Sequence, residues 1–205
     1  MTYDPKSYWE ARGGPQYRYT IRTPEYHRHQ LAENGFLEEV IQKTKPKSLL
    51  DFGCGAGEWL VLWRNAKVEN LALYEISHSM MGVAQKLAEQ LWGCEWRPEQ
   101  CPVRFFVDDG DRKKLPYSDA EFDLVVACEV LAHILPTEIE GTLNELWRIC
   151  KDDGHLAIVT ASPFGQGAGH NFDHDYKALL AKGFEITHDE MPYPYRHILC
   201  RKVAA

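Results

Sequence analysis

The chain has 205 residues, with 23 Lys and Arg against 30 Asp and Glu, for a net charge of −7. That length supports one domain with a substantial core, and 44% apolar with 26% charged residues is the composition of a globular protein rather than a fibrous or disordered one. The acidic balance disfavours a nucleic-acid partner; no apolar run reaches the roughly 20 residues of a membrane span, and residues 1–9 carry no signal-peptide core, so a cytoplasmic protein without a membrane partner is expected.

Residues 1–45 read as an arm and helices belonging to the same domain as a core over 46–205. The arm is aromatic and basic, with Tyr8, Trp9, Arg12, Tyr17 and Arg18 around Gly13-Gly14-Pro15, which suits a lid or a surface-packed segment. Thr23-Pro24 looks like a cap followed by proline at the first helical position, opening a helix toward Glu33 that includes Tyr26, His27 and His29. Phe36, Leu37, Val40 and Ile41 then mark one face of a second helix, ending before Pro46.

Ser48–Phe52 is an apolar run closed by the acid Asp51, and Gly53, Cys54, Gly55, Ala56 and Gly57 follow, with glycines at alternate positions. This reads as a buried strand, a tight turn and the start of a helix faced by Trp59, Leu60, Leu62 and Trp63. A second strand, Asn70–Tyr74, ends at Glu75 and Ile76, with Glu75 eighteen residues after Gly57, close to the distance at which an acid meets a ribose in nucleotide-type βαβ units. Met80, Val83, Ala84, Leu87, Ala88 and Leu91 lie at helical spacing and read as core packing rather than a methionine metal site. Val103–Val107 is a third strand. Asp108 to Lys114 is a loop with three acids in four residues, followed by Leu115-Pro116-Tyr117 and a fourth strand, Phe122–Ala127. Glu129 and His133 follow that strand at its carboxyl end, where open α/β sheets place their ligands. Thr137 and Glu140 have capping-box spacing for the next helix. Lys151–Gly154 reads as a turn, His155–Thr160 as a fifth strand, Ser162–Asn171 as a glycine-rich loop at the cleft mouth, 175–182 as a short helix, and 184–188 with 195–202 as two closing strands. The alternating βα order implies a parallel sheet.

The glycine turn preceded by Asp51, the acid at Glu75 and the pairing of an acidic loop with Leu-Pro-aromatic and Phe-Asp-Leu-Val together resemble the motifs of class I S-adenosylmethionine (SAM) methyltransferases, over about residues 36–202. The resemblance implies a three-layer α/β/α Rossmann-like fold with a mostly parallel seven-stranded sheet and the last strand antiparallel. It implies SAM as cofactor, leaving as S-adenosylhomocysteine. Asp51 with Gly53, Cys54, Gly55 and Gly57 would hold the aminoacyl part, Glu75 and Ile76 the ribose side, Asp111 and the Arg112 N–H the adenine, and Glu129 would also border the cofactor. The alternative turn, G-x-G-x-x-G for a dinucleotide, is disfavoured by the spacing and by an acid that would repel pyrophosphate.

Methyl transfer from a sulfonium asks for alignment and exclusion of water, and an oxygen acceptor asks for a base as well. His133 is the first candidate, because a neutral imidazole is available near pH 7, with Glu129 and His29 behind it. Tyr8, Trp9, Arg12, Tyr17, Arg18 and Tyr26 would supply apolar walls and an anion contact for the substrate. The arm's Tyr-Trp-Glu-Ala-Arg-Gly resembles leaders of small methyltransferases that act on small molecules or sugars. There is no Asn-Pro-Pro-Tyr, Asp-Pro-Pro-Tyr or Pro-Cys sequence of nucleic-acid methylating enzymes. The expectation is a methyltransferase for a small anionic or glycosyl O or N acceptor, monomeric or homodimeric; the alternative is an inactive SAM-binding sensor or partner subunit. No metal is expected: His170 and His174 stand four apart without a third ligand at a defined spacing. All six cysteines, with no C-x-x-C pair, read as free thiols.

Overall fold

The structure, a computed structural model, describes residues 3–14, 17, 24–95, 97–108, 114–161, 170–192 and 195–203, and of residues 24–30, 98 and 161 the backbone alone. The described elements are α1 (Pro5–Arg12), α2 (Pro24–Thr44), β1 (Ser48–Phe52), α3 (Leu60–Asn65), β2 (Asn70–Glu75), α4 (His78–Trp92), β3 (Val103–Val107), β4 (Phe122–Cys128), α5 (Ile139–Ile149), β5 (Cys150–Ala161), α6 (Tyr176–Leu180), β6 (Phe184–Glu190) and β7 (Tyr195–Lys202). They build one seven-stranded sheet in the order β3-β2-β1-β4-β5-β7-β6. The first five strands are parallel, and β7 inserts antiparallel between β5 and β6. No described helix is long and apolar enough to cross a membrane.

The pleat of the strands sorts their residues between two helical layers. Leu50 and Phe52 join Ile139, Leu143, Leu146 and Ile149 of α5 and Tyr176 and Leu180 of α6. Leu49, Leu71 and Leu73 face the other way, onto Phe36, Leu37 and Val40 of α2, Leu60 and Trp63 of α3, and Ala84 and Ala88 of α4. Both faces are covered, which is what near-continuous apolar strands require. The six cysteines are free thiols, five of them buried.

Three local expectations change. The two helices read over 24–45 are one helix of 21 residues. Gly35 in its interior costs about 1 kcal/mol relative to alanine but does not break a helix whose Phe36–Leu37–Val40 face is buried. The Thr137–Glu140 capping box does not form: α5 begins at Ile139, and its N-cap, Glu138, makes no side-chain cap bond. The turn read at 151–154 is an irregularity inside a longer β5: Phe122 pairs with Cys150 but Leu124 with His155, so the extra residues bulge, with Asp153 at φ 60°.

That bulge is tied down by Asp123. Its Oδ2 accepts from Lys47 N (3.0 Å), Ser48 N (2.8 Å) and Ser48 Oγ (2.9 Å), and its Oδ1 accepts from Lys151 Nζ (2.7 Å). Partial burial pushes this carboxyl up, but the bonds from Lys151, Ser48 and Lys47 outweigh it and hold it at about 2, below its ordinary 3.8. Replacing Asp123 by Ala is expected to destabilise the fold by about 2 kcal/mol, read as a Tm lower by roughly 4–8 °C in thermal unfolding. Because the folded carboxyl titrates lower than the unfolded one, this contribution is complete above about pH 4 and lost as pH falls toward 2, so wild type and variant should converge in acid.

Candidate active site

Strand order reverses direction of crossover between β1 and β4, and the crevice at their carboxyl ends is where such a sheet binds ligands. A cleft of about 910 Å³ opens there. Its floor comes from Phe52 to Ala56 after β1, Tyr74 to Ile76 after β2, and Cys128 to Val130, His133 and Ile134 after β4. The backbone of the first turn is held to β2, with Gly53 N and Cys54 N both donating to Tyr74 O, at 2.8 and 3.1 Å. Gly53, Gly55 and Gly57 all have positive φ, at 75°, 55° and 83°. A Cβ on Gly53 would collide with Val130, whereas one on Gly55 would meet only Met80 Sδ, at 4.0 Å, and would project into the cleft.

Glu75 organises the floor. Its Oε2 accepts from Gly55 N (2.8 Å), and its Oε1 from Ile76 N (2.9 Å) and Ser77 N (3.0 Å). Burial pushes its carboxyl up and these three N–H groups pull it back, leaving it above its ordinary value. Asp51 lies beneath the turn, 1% exposed, on the Leu49 face of β1, and accepts from Trp63 Nε1 at 2.8 Å. Burial and the nearby Glu75 push it to about 7 against the Trp63 bond. Glu33, Glu58 and Glu129 stand on the wall with Glu75, and no Lys or Arg does among the described residues. Burial pushes Glu33 to about 7. Burial and Glu33 push Glu129 well above the carboxylate range. Glu129 has φ 55°, an uncommon backbone for a residue with a Cβ, and its Oε1 is buried with no hydrogen-bond partner.

The arm closes the mouth. Pro5 and Trp9 of α1, with Tyr17, line the cleft. Glu10 anchors α1 to the start of α4, accepting from Ser77 Oγ (2.9 Å) and Ser79 Oγ (2.6 Å). The Trp9 ring meets His133 edge-on at 4.8 Å, and His133 stacks on His170 at 5.1 Å. His133 Nδ1 lies 3.2 Å from His170 O; a carbonyl only accepts, so Nδ1 carries the proton and Nε2 its lone pair. Burial lowers His133 to about 4, so the imidazole is neutral. Burial, then the carboxylates Glu58, Glu75 and Glu129, push the Tyr17 phenol to about 12.

The residues read from sequence therefore divide. Gly53, Cys54, Gly55, Glu75, Ile76, Glu129, His133, Trp9 and Tyr17 meet at the cleft. Asp51 and Gly57 do not reach its wall: the pleat turns Asp51 under the turn, and Gly57 lets α3 and α4 approach, since its Cβ would meet Leu60 and Ala84. Tyr8 stands behind the lid with its hydroxyl 3.0 Å from His170, and Arg12 lies 4.2 Å over the Tyr8 ring rather than on the wall. Asp111, Arg112 and Arg18 fall outside the described residues, as do the side chains of Tyr26, His27 and His29. His174 is buried and bonds the backbone carbonyls of Leu131 and Ile134, each at 3.1 Å. Sequence reading missed Glu10, Glu33 and Glu58. Glu33 left a signal: it shares the apolar helix face of Phe36, Leu37 and Val40, where an acid is out of place.

The chain matches the family model described as a methyltransferase domain over residues 50–158. Among curated relatives it is 27% identical to a sterol 24-C-methyltransferase of Gibberella zeae over 80% of this chain and 44% of that protein. It is 32% identical to a norajmaline N-methyltransferase of Rauvolfia serpentina over 57% and 36%. The chain thus spans about half the length of these relatives or less. Its fold is similar to that of magnesium protoporphyrin IX methyltransferase from Synechocystis PCC 6803, crystallised with SAM, with a TM-score of 0.73, 17% identity, and 98% and 99% coverage of the two chains. The cleft fits that cofactor: SAM carries a sulfonium, an ammonium and one carboxylate, and the wall offers acids without a described cation, beside a turn whose Gly55 leaves room for a ligand against the backbone. The chain belongs to the methyltransferase domain family.

Proposed function

We propose that the chain transfers the methyl group of SAM to an O or N atom of a small molecule bound beneath the α1 lid. The observation that supports this reading best is the acidic cleft at the β1–β4 crevice, bordered by Trp9 and Tyr17. It is of the size and lining of a ligand cleft, and closure of α1 over bound ligands would exclude water from a reaction that needs alignment. The small-molecule class agrees with the printed name of the norajmaline relative.

When bound, SAM supplies an electrophilic methyl group on a cationic sulfur. In this reading Gly53, Cys54 and Gly55 cradle the aminoacyl part with their backbone. Glu75 keeps free lone pairs beside its three N–H bonds, and with Ile76 it borders the ribose. Asp111 and Arg112 remain the assignment for adenine. Asp51 acts from beneath, through its charge and by fixing Trp63. His133 is neutral but weakly basic, so its Nε2 serves better to accept a hydrogen bond and orient the acceptor than to carry off a proton near pH 7. Glu129, with an unpartnered oxygen and a raised affinity for protons, is the better base.

Three outcomes test the reading. Calorimetric titration should give micromolar SAM and S-adenosylhomocysteine binding and none for NAD, and Gly55→Asn, which tolerates the left-handed backbone at this position while filling the space beside it, should weaken both by about tenfold or more; unchanged affinity would remove the cofactor assignment. Cofactor affinity should rise as pH is raised through about 7, because Asp51, beneath the glycine turn, sheds its proton near that value and its ionisation adds a negative charge near a cationic ligand. His133→Ala should lower methyl transfer by roughly 100-fold while leaving SAM affinity within about threefold; equal loss of both would recast it as a packing residue.

A further inference from the structure

The cofactor carries one net positive charge: sulfonium and ammonium against one carboxylate. The wall that receives it carries four carboxylates, Glu33, Glu58, Glu75 and Glu129, with Asp51 beneath. Glu75 is committed to the turn and the start of α4 through three N–H bonds. Glu58 follows the glycine turn directly. Glu33 and Glu129 come from other elements, α2 and the segment after β4; the charge of Glu33 acts on Glu129, and both act on Cys128 and Tyr195. Glu33 is 2% exposed, and Glu129 has an oxygen cut off from solvent with no protein donor to satisfy it.

Two acids on one wall, one buried and one with a buried oxygen, are costly in their charged form unless a cation lies near them. Nothing described on the wall supplies one, and the cofactor's single net charge does not neutralise the set. Trp59, Trp9 and Tyr17 line the same cleft, and aromatic faces favour cations as well. An anionic acceptor would meet repulsion from every acid on the wall, and of the two arginines expected to receive it, Arg12 lies over Tyr8 and Arg18 falls outside the described residues.

We propose, resting on the methyl-transfer reading, that the acceptor is an amine whose nitrogen sits between Glu33 and Glu129. The amine enters as an ammonium. One N–H proton passes to Glu129, freeing the nitrogen lone pair. That pair forms the N–C bond to the methyl group while the C–S bond breaks and leaves its electrons on sulfur. The product keeps the positive charge as an N-methylammonium, S-adenosylhomocysteine is neutral at sulfur, and Glu129 returns its proton to solvent, so one proton is released per turnover. Glu33 holds the cation and does not react, a positioning residue.

The test is binding of matched probes to the full chain saturated with S-adenosylhomocysteine: benzylamine, benzyl alcohol and benzoate, and tryptamine, tryptophol and indole-3-acetate. Each amine should bind at least about tenfold tighter than its matched alcohol and acid. Glu33→Gln, which is isosteric, should erase that preference while S-adenosylhomocysteine binds within about threefold of wild type. Glu129→Gln should lower methyl transfer to the amine by roughly 100-fold, more than it weakens amine binding. Acids or alcohols binding as well as amines, no amine binding at millimolar concentration, or a Glu33→Gln variant that keeps the preference or loses the product along with the amine would each overturn the proposal. Amine binding without S-adenosylhomocysteine binding would leave the cation site standing and overturn the methyl-transfer reading instead.

Discussion

One carboxylate holds the ligand end of this protein together. Glu75 ends β2, yet its oxygens collect N–H groups from the turn after β1 and from the approach to α4. A buried acid is stabilised when several backbone donors converge on it, and here that convergence fixes the relative placement of two strands, a turn and a helix. The chain of bonds continues outward. Ser77 donates its N–H to Glu75, accepts from Met80 N as the cap of α4, and donates its hydroxyl to Glu10 of the lid. Floor, helix start and roof therefore share one polar network whose innermost member is Glu75.

The same region carries the main electrostatic load of the fold. Asp51, Glu33 and Glu129 bind protons more tightly when folded than when unfolded. For an acid shifted in that direction, ionisation favours the unfolded chain, so each contributes least to stability as pH rises past its unfolded value. A surface could place these acids in water at no such cost. Concentrating them around one cleft makes sense where the missing counter-charge arrives with the ligands, and the stability given up by the empty protein is returned on binding.

Most of the architecture was legible because its signals are local. The apolar runs at 48–52, 70–74 and 122–127 read as buried strands, and the glycines between β1 and α3 permitted only a tight turn. Boundaries failed where tertiary burial overrode a local cue: Gly35 did not stop α2, and Glu140 did not reach back to Thr137. The site was half legible. Gly55, Glu75, Glu129 and His133 were found because motif and position agreed. Asp51 was assigned to the cleft although alternation along β1 places it with Leu49, on the face of Trp63. Glu33 and Glu10 lie at separations of 42 and 65 residues in sequence from Glu75 (75 − 33 and 75 − 10), and no short-range pattern reports which distant acid a fold will carry to its cleft.

The clasp between Glu10 and the serines at 77 and 79 bears on timing rather than affinity. Its bonds to Ser79 run from 2.6 to 3.3 Å and are solvent-exposed, and such bonds contribute only about 1 kcal/mol each. Releasing it costs little and leaves the floor in place, because Glu75 is held by the backbone N–H groups of Gly55, Ile76 and Ser77 and not by the serine hydroxyls that Glu10 grips. Roof and floor are therefore separable: α1 can part from α4 while the turn after β1 keeps its shape.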